Sequence, residues 1–205
     1  MLTYRHYVFA DVLDRVPVYN ASDPSDGFDA AGNIGNGSEN EAIASLTIPL
    51  DRLGMNRAQF KLSAVQQWSK ATDPTTSAVR PISGLNPLEY SVNLHQDLPR
   101  WRANWGGAFL TPCYASSTVK GCTETTYRFD EIDVYRATPT INAFAEFRPW
   151  KGILLHLEGD NLLRQHYDRN IISYVGPRND FPISMIEGRR LTSFASVLFS
   201  LRKEF

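Results

Sequence analysis

The chain has 205 residues, with 21 Lys and Arg against 22 Asp and Glu, so its formal net charge of -1 leaves no broad basic surface for nucleic acid. Its mean hydropathy is -0.30 and no apolar run approaches eighteen residues, so no transmembrane helix is expected. The length suffices for one domain with a full core, and it does not exclude membrane strands, in which only every second residue is apolar.

The first residues, Met1 to Phe9, lack a basic start, a long apolar run and a small-residue cleavage site, so they do not read as a secretory signal. Alternating runs then predict strands at about 2–12, 41–50, 57–69, 87–97, 101–110, 137–148, 152–164 and 190–205. A strand sends successive side chains to opposite faces. In 41–50 the apolar set is Ala42, Ala44, Leu46, Ile48 and Leu50. In 57–69 Phe60, Leu62, Ala64 and Trp68 alternate with Gln59, Lys61, Ser63 and Gln67. In 87–97 Leu88, Tyr90, Val92 and Leu94 alternate with Glu89, Ser91, Asn93 and His95. Strand 101–110 sets Trp101, Ala103, Trp105 and Phe109 against Arg102 and Asn104. The next two set Ile141, Ala143, Ala145 and Phe147 against Asn142, Glu146 and Arg148, then Ile153, Leu155 and Leu157 against His156, Glu158 and Asp160. Alternation alone does not orient the apolar face.

The spacers carry the stronger signal. Asp51–Asn56, Leu98–Arg100 and Pro149–Lys151 are tight, whereas 13–40, 70–86, 111–136 and 165–189 are long. Short turns alternating with long loops are the mark of an up-and-down transmembrane barrel, and compact domains rarely carry four such loops. About 10 residues per strand at roughly 3.3 Å, tilted about 40°, rise about 25 Å, the height of a lipid-facing band. The fold expected is therefore all-β: an antiparallel up-and-down barrel segment of about eight strands, open and curved as an isolated chain. The loop Asp23–Gly37 is acidic, but its spacing does not fit a calcium loop. Cys113 and Cys122, with eight residues between them in a polar stretch, are expected to close a surface disulfide at a loop tip.

The last strand ends on the last residue, with Ala195, Val197, Phe199, Leu201, Lys203 and Phe205 on one face. A terminal Phe on such a strand resembles the ending of Gram-negative outer-membrane barrels, where it serves as an assembly signal. The 152–164 strand runs on into Asn161, Leu162 and Leu163, followed by Tyr167. This is similar to the penultimate-strand motif of TonB-dependent outer-membrane receptors. Asn33-Ile-Gly35 resembles another element of that family more weakly, because Glu41 and Ile43 stand where the family often has Gly-x-Glu.

The resemblance covers essentially the whole chain, as the last third or so of a receptor barrel. That family also has a signal peptide, a TonB-contacting box, a plug domain and a 22-stranded barrel. It thus implies a C-terminal barrel segment in the outer membrane of a Gram-negative bacterium. Its partners would be outer-membrane lipid, the barrel assembly machinery, and the rest of the barrel and plug, with TonB contacted through the missing N-terminal parts. The role implied is uptake of a scarce solute such as a siderophore, cobalamin or glycan, with no cofactor. Two other readings stand beside it. Eight strands can close into a free-standing barrel. A barrel enzyme could use His95, His156, Glu158 and Asp160, but no nucleophile motif accompanies them and same-face neighbours stand about 7 Å apart. No catalytic, cofactor or metal residue is therefore assigned.

Overall fold

The computed structural model describes residues 1–111 and 123–203. In chain order the strands are β1 (Leu2–Phe9), β2 (Leu13–Asn20), β3 (Asp23–Asn33), β4 (Gly37–Pro49), β5 (Ala58–Thr72), β6 (Val79–Arg80), β7 (Leu88–Leu98) and β8 (Ala103–Leu110). They continue as β9 (Glu124–Tyr127), β10 (Glu131–Ala137), β11 (Thr140–Phe147), β12 (Ile153–Asp160), β13 (His166–Tyr174), β14 (Ile183–Thr192) and β15 (Ser196–Lys203). The only helical elements among the described residues are two single 3-10 turns, and no helix is long and apolar enough to cross a membrane.

The main sheet is an antiparallel meander ordered β1-β4-β5-β7-β8-β11-β12-β15, with short β6 on the end of β5. Each of the eight expected strands supplies one of these. β1 pairs with β4 and β15 with β12, so the sheet is open and does not close into a barrel. Its three tight turns lie at one end. The first is a 3-10 turn over Asp51–Leu53, stopped by Gly54 at φ 79°. The second, over Pro99–Trp101, begins at a proline and ends on Arg102 at φ 49°. Arg102 thus belongs to the turn, not to the strand expected from residue 101. The third runs through Gly152 at φ 78°, a left-handed position that glycine fills without strain.

The four long connections meet at the other end, and here the structure corrects the sequence reading. Apart from the second, which carries only short β6, their described residues are largely strand. The first forms the β2–β3 hairpin. The third and fourth contribute β9–β10 and β13–β14, which join in a four-stranded sheet ordered β14-β13-β10-β9. β4 and β5 also run to 13 and 15 residues, past their expected ends toward this side. The expected 190–205 strand is divided, with β14 ending at Thr192 and β15 starting at Ser196. The expected 152–164 strand stops at Asp160, where Asn161 turns left-handed at φ 52°.

Candidate functional site

The register settles which side chains share a face. One line crosses the sheet through Ile48, Phe60, Leu94, Gly107, Ala143 and Gly159 to Val197. A parallel line passes through Leu46, Leu62, Val92, Phe109 and Ile141. Every position of both is apolar or glycine. Nothing among the described residues covers this face: Leu46 is 47%, Leu157 48% and Phe199 64% exposed. Monomeric soluble proteins rarely leave apolar patches beyond a few hundred Å² uncovered. Among the described residues the buried apolar ones are few and scattered: Val12, Leu50, Ala58, Ala71, Leu110, Phe129, Leu154 and Ile171.

The opposite face is polar and bonded within itself. Asn104 on β8 donates to Glu146 Oε2 on β11 at 2.9 Å. His156 on β12 lies between two carboxylates, with Nδ1 3.2 Å from Glu146 Oε1 and Nε2 3.2 Å from Glu158 Oε2. The side chains therefore meet much more closely than the about 7 Å strand spacing suggested. One apolar ring sits in this polar field. Phe144 stacks between His95, 6.0 Å away, and His156, 6.4 Å away. It occupies the space over Gly106, where an added Cβ would meet the ring at 2.7 Å. No hydroxyl or thiol bonds to His156 among the described residues, so the cluster holds a base between two acids with no nucleophile attached. Among the described residues no group of three or more His, Cys, Asp or Glu side chains is arranged to hold a metal ion.

The third feature ties the long connections together. Asp73, just past β5 and 1% exposed, accepts the N–H groups of Thr75 and Thr76 at 2.9 Å through Oδ1. Its Oδ2 accepts Arg80 Nε and Arg178 Nη2, each at 2.6 Å. Arg80 also donates to Asp14 Oδ2 on β2 at 2.8 Å. Both guanidiniums lie over the Tyr127 ring on β9, at 4.5 and 5.7 Å from its centroid. Asp29 on β3 accepts the Phe129 N–H at 3.1 Å. All four long connections thus contribute to one buried polar hub. Burial pushes the Asp73 carboxyl up, but the bonds from Arg178, the Thr76 N–H and Arg80 outweigh it and hold it at about 2. Asp14 is likewise held down against burial by Arg80 and the Ser83 N–H. Asp29, with no cation bonded to it, is pushed up by burial despite the Phe129 N–H.

The motif residues have structural roles. The Asn161 side chain accepts from the Gln165 N–H at 2.7 Å and from Thr140 Oγ1 at 3.2 Å, and donates to the Phe194 carbonyl at 3.1 Å. Its own N–H donates to Asn142 Oδ1 at 2.9 Å. Asparagine tolerates the left-handed backbone here while its amide closes the turn. Leu162 lies against Gly159, and Leu163 is 52% exposed. Tyr167 is carried away on β13, where it stacks on Tyr135 at 5.8 Å and donates to Gln165 Oε1 at 2.7 Å. Cys113, Cys122 and Phe205 lie outside the described residues. Sequence reasoning missed the hub, whose farthest pair, Asp73 and Arg178, is separated by 105 positions. The one local signal was Asp73-Pro-Thr-Thr, whose acid bonds its own turn. Compared with protein-family models, curated proteins and solved structures, the chain matches none.

Proposed function

We propose that this chain is the C-terminal barrel segment of a TonB-dependent outer-membrane receptor, acting in uptake of a scarce solute of the siderophore, cobalamin or glycan class. The observation that carries the reading is the uncovered apolar face of an eight-strand meander whose long connections all lie at one end. Lipid is the medium in which that face is satisfied, and the strands satisfy one another's backbone groups across the sheet. The polar face, with His156, Glu146 and Glu158, suits a wet interior or a plug. The hub would hold the solute-facing connections in one arrangement.

β1 and β15 each have a single partner in the main sheet. In hydrocarbon each open edge would leave unpaired N–H and C=O groups, costing several kcal/mol apiece. Further strands on both edges remove that cost, which favours a segment of a larger barrel over a free-standing eight-stranded one. The chain produced alone is expected to aggregate unless detergent covers it.

The test is fractionation of the source cells with an antibody raised against this chain. The expected result is an outer-membrane band larger than 23 kDa that migrates faster unheated than heated. A soluble, monomeric band near 23 kDa would refute the proposal.

A further inference from the structure

The two ends of the main sheet differ in charge. The tight-turn segments 50–57, 98–102 and 148–152 hold six basic residues, Arg52, Arg57, Arg100, Arg102, Arg148 and Lys151, against the single acid Asp51. The long connections 10–36, 73–87, 111–139 and 161–195 hold ten basic residues against thirteen acidic. A chain of net charge -1 thus concentrates its positive charge at one rim.

The rim cations are exposed and largely unneutralised. Among the described residues, the side chains of Arg52, Arg100, Arg102 and Lys151 form no hydrogen bond or ion pair. Arg148 has only a long contact to Glu146, at 3.9 Å, and that acid is already held by Asn104 and His156. Asp51 accepts the Arg57 N–H, and Asp97 faces His95 at 3.7 Å. The second and third turns are joined, because the Arg148 N–H donates to the Arg102 carbonyl at 2.8 Å.

The same rim presents aromatic rings. Trp101 and Trp150 sit in those two turns, each 67% exposed. Beside them a groove of about 440 Å³ runs over the apolar face, lined by Trp101, Trp105, Phe147, Leu157 and Phe199. Exposed indoles beside guanidiniums, above an apolar groove, match the order of a phospholipid: phosphate, glycerol ester, acyl chain.

We propose that the tight-turn rim is a docking surface for anionic phospholipid. Arg100, Arg102 and Lys151 take the headgroup phosphates, and the groove takes an acyl chain. The inference rests on the lipid-facing reading above and adds the charge class of the lipid and the end of the sheet that meets it.

The test uses the whole chain in neutral detergent micelles, with Trp68→Phe so that Trp101, Trp105 and Trp150 report the rim. Brominated phosphatidylglycerol or brominated phosphatidylcholine is titrated in and tryptophan quenching is followed. Each basic residue near an anionic surface multiplies partitioning by about five. The added variant R100Q/R102Q/K151Q should therefore shift the phosphatidylglycerol midpoint upward by a factor on the order of 100, leaving phosphatidylcholine unchanged. Raising salt to about 0.5 M should weaken only the phosphatidylglycerol response of the unsubstituted rim, a measurement that stands if the variant does not fold. Equal midpoints for the two lipids, unmoved by salt, would overturn the rim assignment and leave the lipid-facing sheet intact. No quenching by either lipid would overturn both.

Discussion

Asp73→Asn is the sharpest perturbation of the loop hub. The amide keeps an oxygen for the N–H groups of Thr75 and Thr76 but removes the charge that Arg80 and Arg178 share. Arg80 retains Asp14 at 2.8 Å, whereas Arg178 retains the Arg128 carbonyl and the face of Tyr127 but no anion. Removing one partner of a buried ion pair costs about 3–5 kcal/mol. With Arg80 still paired, a loss near the lower end, about 3 kcal/mol, is expected. Asp73→Ala also orphans the buried Thr75 N–H, at about 1–3 kcal/mol, and the part-buried Thr76 N–H. The pH dependence has a definite sign. The Asp73 carboxyl falls from 3.8 to about 2 on folding, so its contribution is fully present above 3.8 and is lost as pH falls through 2. The assay is limited proteolysis and urea unfolding of the chain in detergent micelles, with a double-mutant cycle through Arg178→Met. The cycle should show coupling above about 1 kcal/mol, with cleavage appearing first near 73–83 and 176–180. Unchanged unfolding in Asp73→Asn, or strict additivity with Arg178→Met, would refute the hub.

Three further outcomes are expected. Leu62→Arg, in the middle of the apolar face between Leu46 and Val92, should cost about 2–4 kcal/mol in lipid, whereas Ser63→Arg on the other face should be tolerated; folded fractions in vesicles compare them. Asn161→Ala loses both the turn bonds and the left-handed preference, so it should destabilise by about 1–2 kcal/mol more than Asn161→Gly, read by urea unfolding. Gly106→Ala places a Cβ 2.7 Å from the Phe144 ring and 2.9 Å from the Leu94 carbonyl, and should cost about 1–3 kcal/mol by the same measurement. Phe144→Ala should recover only part of that loss, because the carbonyl cannot withdraw.

The meander was legible because its signal is local. Period-two alternation in 41–50, 57–69 and 87–97 marks β4, β5 and β7, and Gly54, Pro99 and Gly152 mark the tight turns. The β2–β3 and β13–β14 hairpins were not legible. Asp23–Asn33 has glycine, aspartate and alanine where strands favour branched and aromatic residues. It is held in β form by pairing with Leu13–Asn20, which is a tertiary effect. The hub escaped for the same reason, since single charges spread through loop-like segments carry no period. On the polar face the alternation placed Glu146, His156 and Glu158 together, but the choice of bonding partners depends on side-chain torsions. The Asn161 motif was found through resemblance, and its physical basis emerged only from the left-handed backbone and the four bonds that surround it.

The central claim is that one face of the main sheet meets lipid and the other water. The most direct measurement places a nitroxide in turn at residues 60 to 65 along β5 of the detergent- or lipid-embedded protein, and reads its collisions with oxygen and with a water-soluble nickel chelate. The account predicts a period of two, with positions 60, 62 and 64 open to oxygen and shielded from nickel, and positions 61, 63 and 65 the reverse. Positions 60, 62 and 64 shielded from both reagents would mean that protein covers the apolar face. Nickel access at all six would mean that the sheet lies in water. Either result contradicts the account.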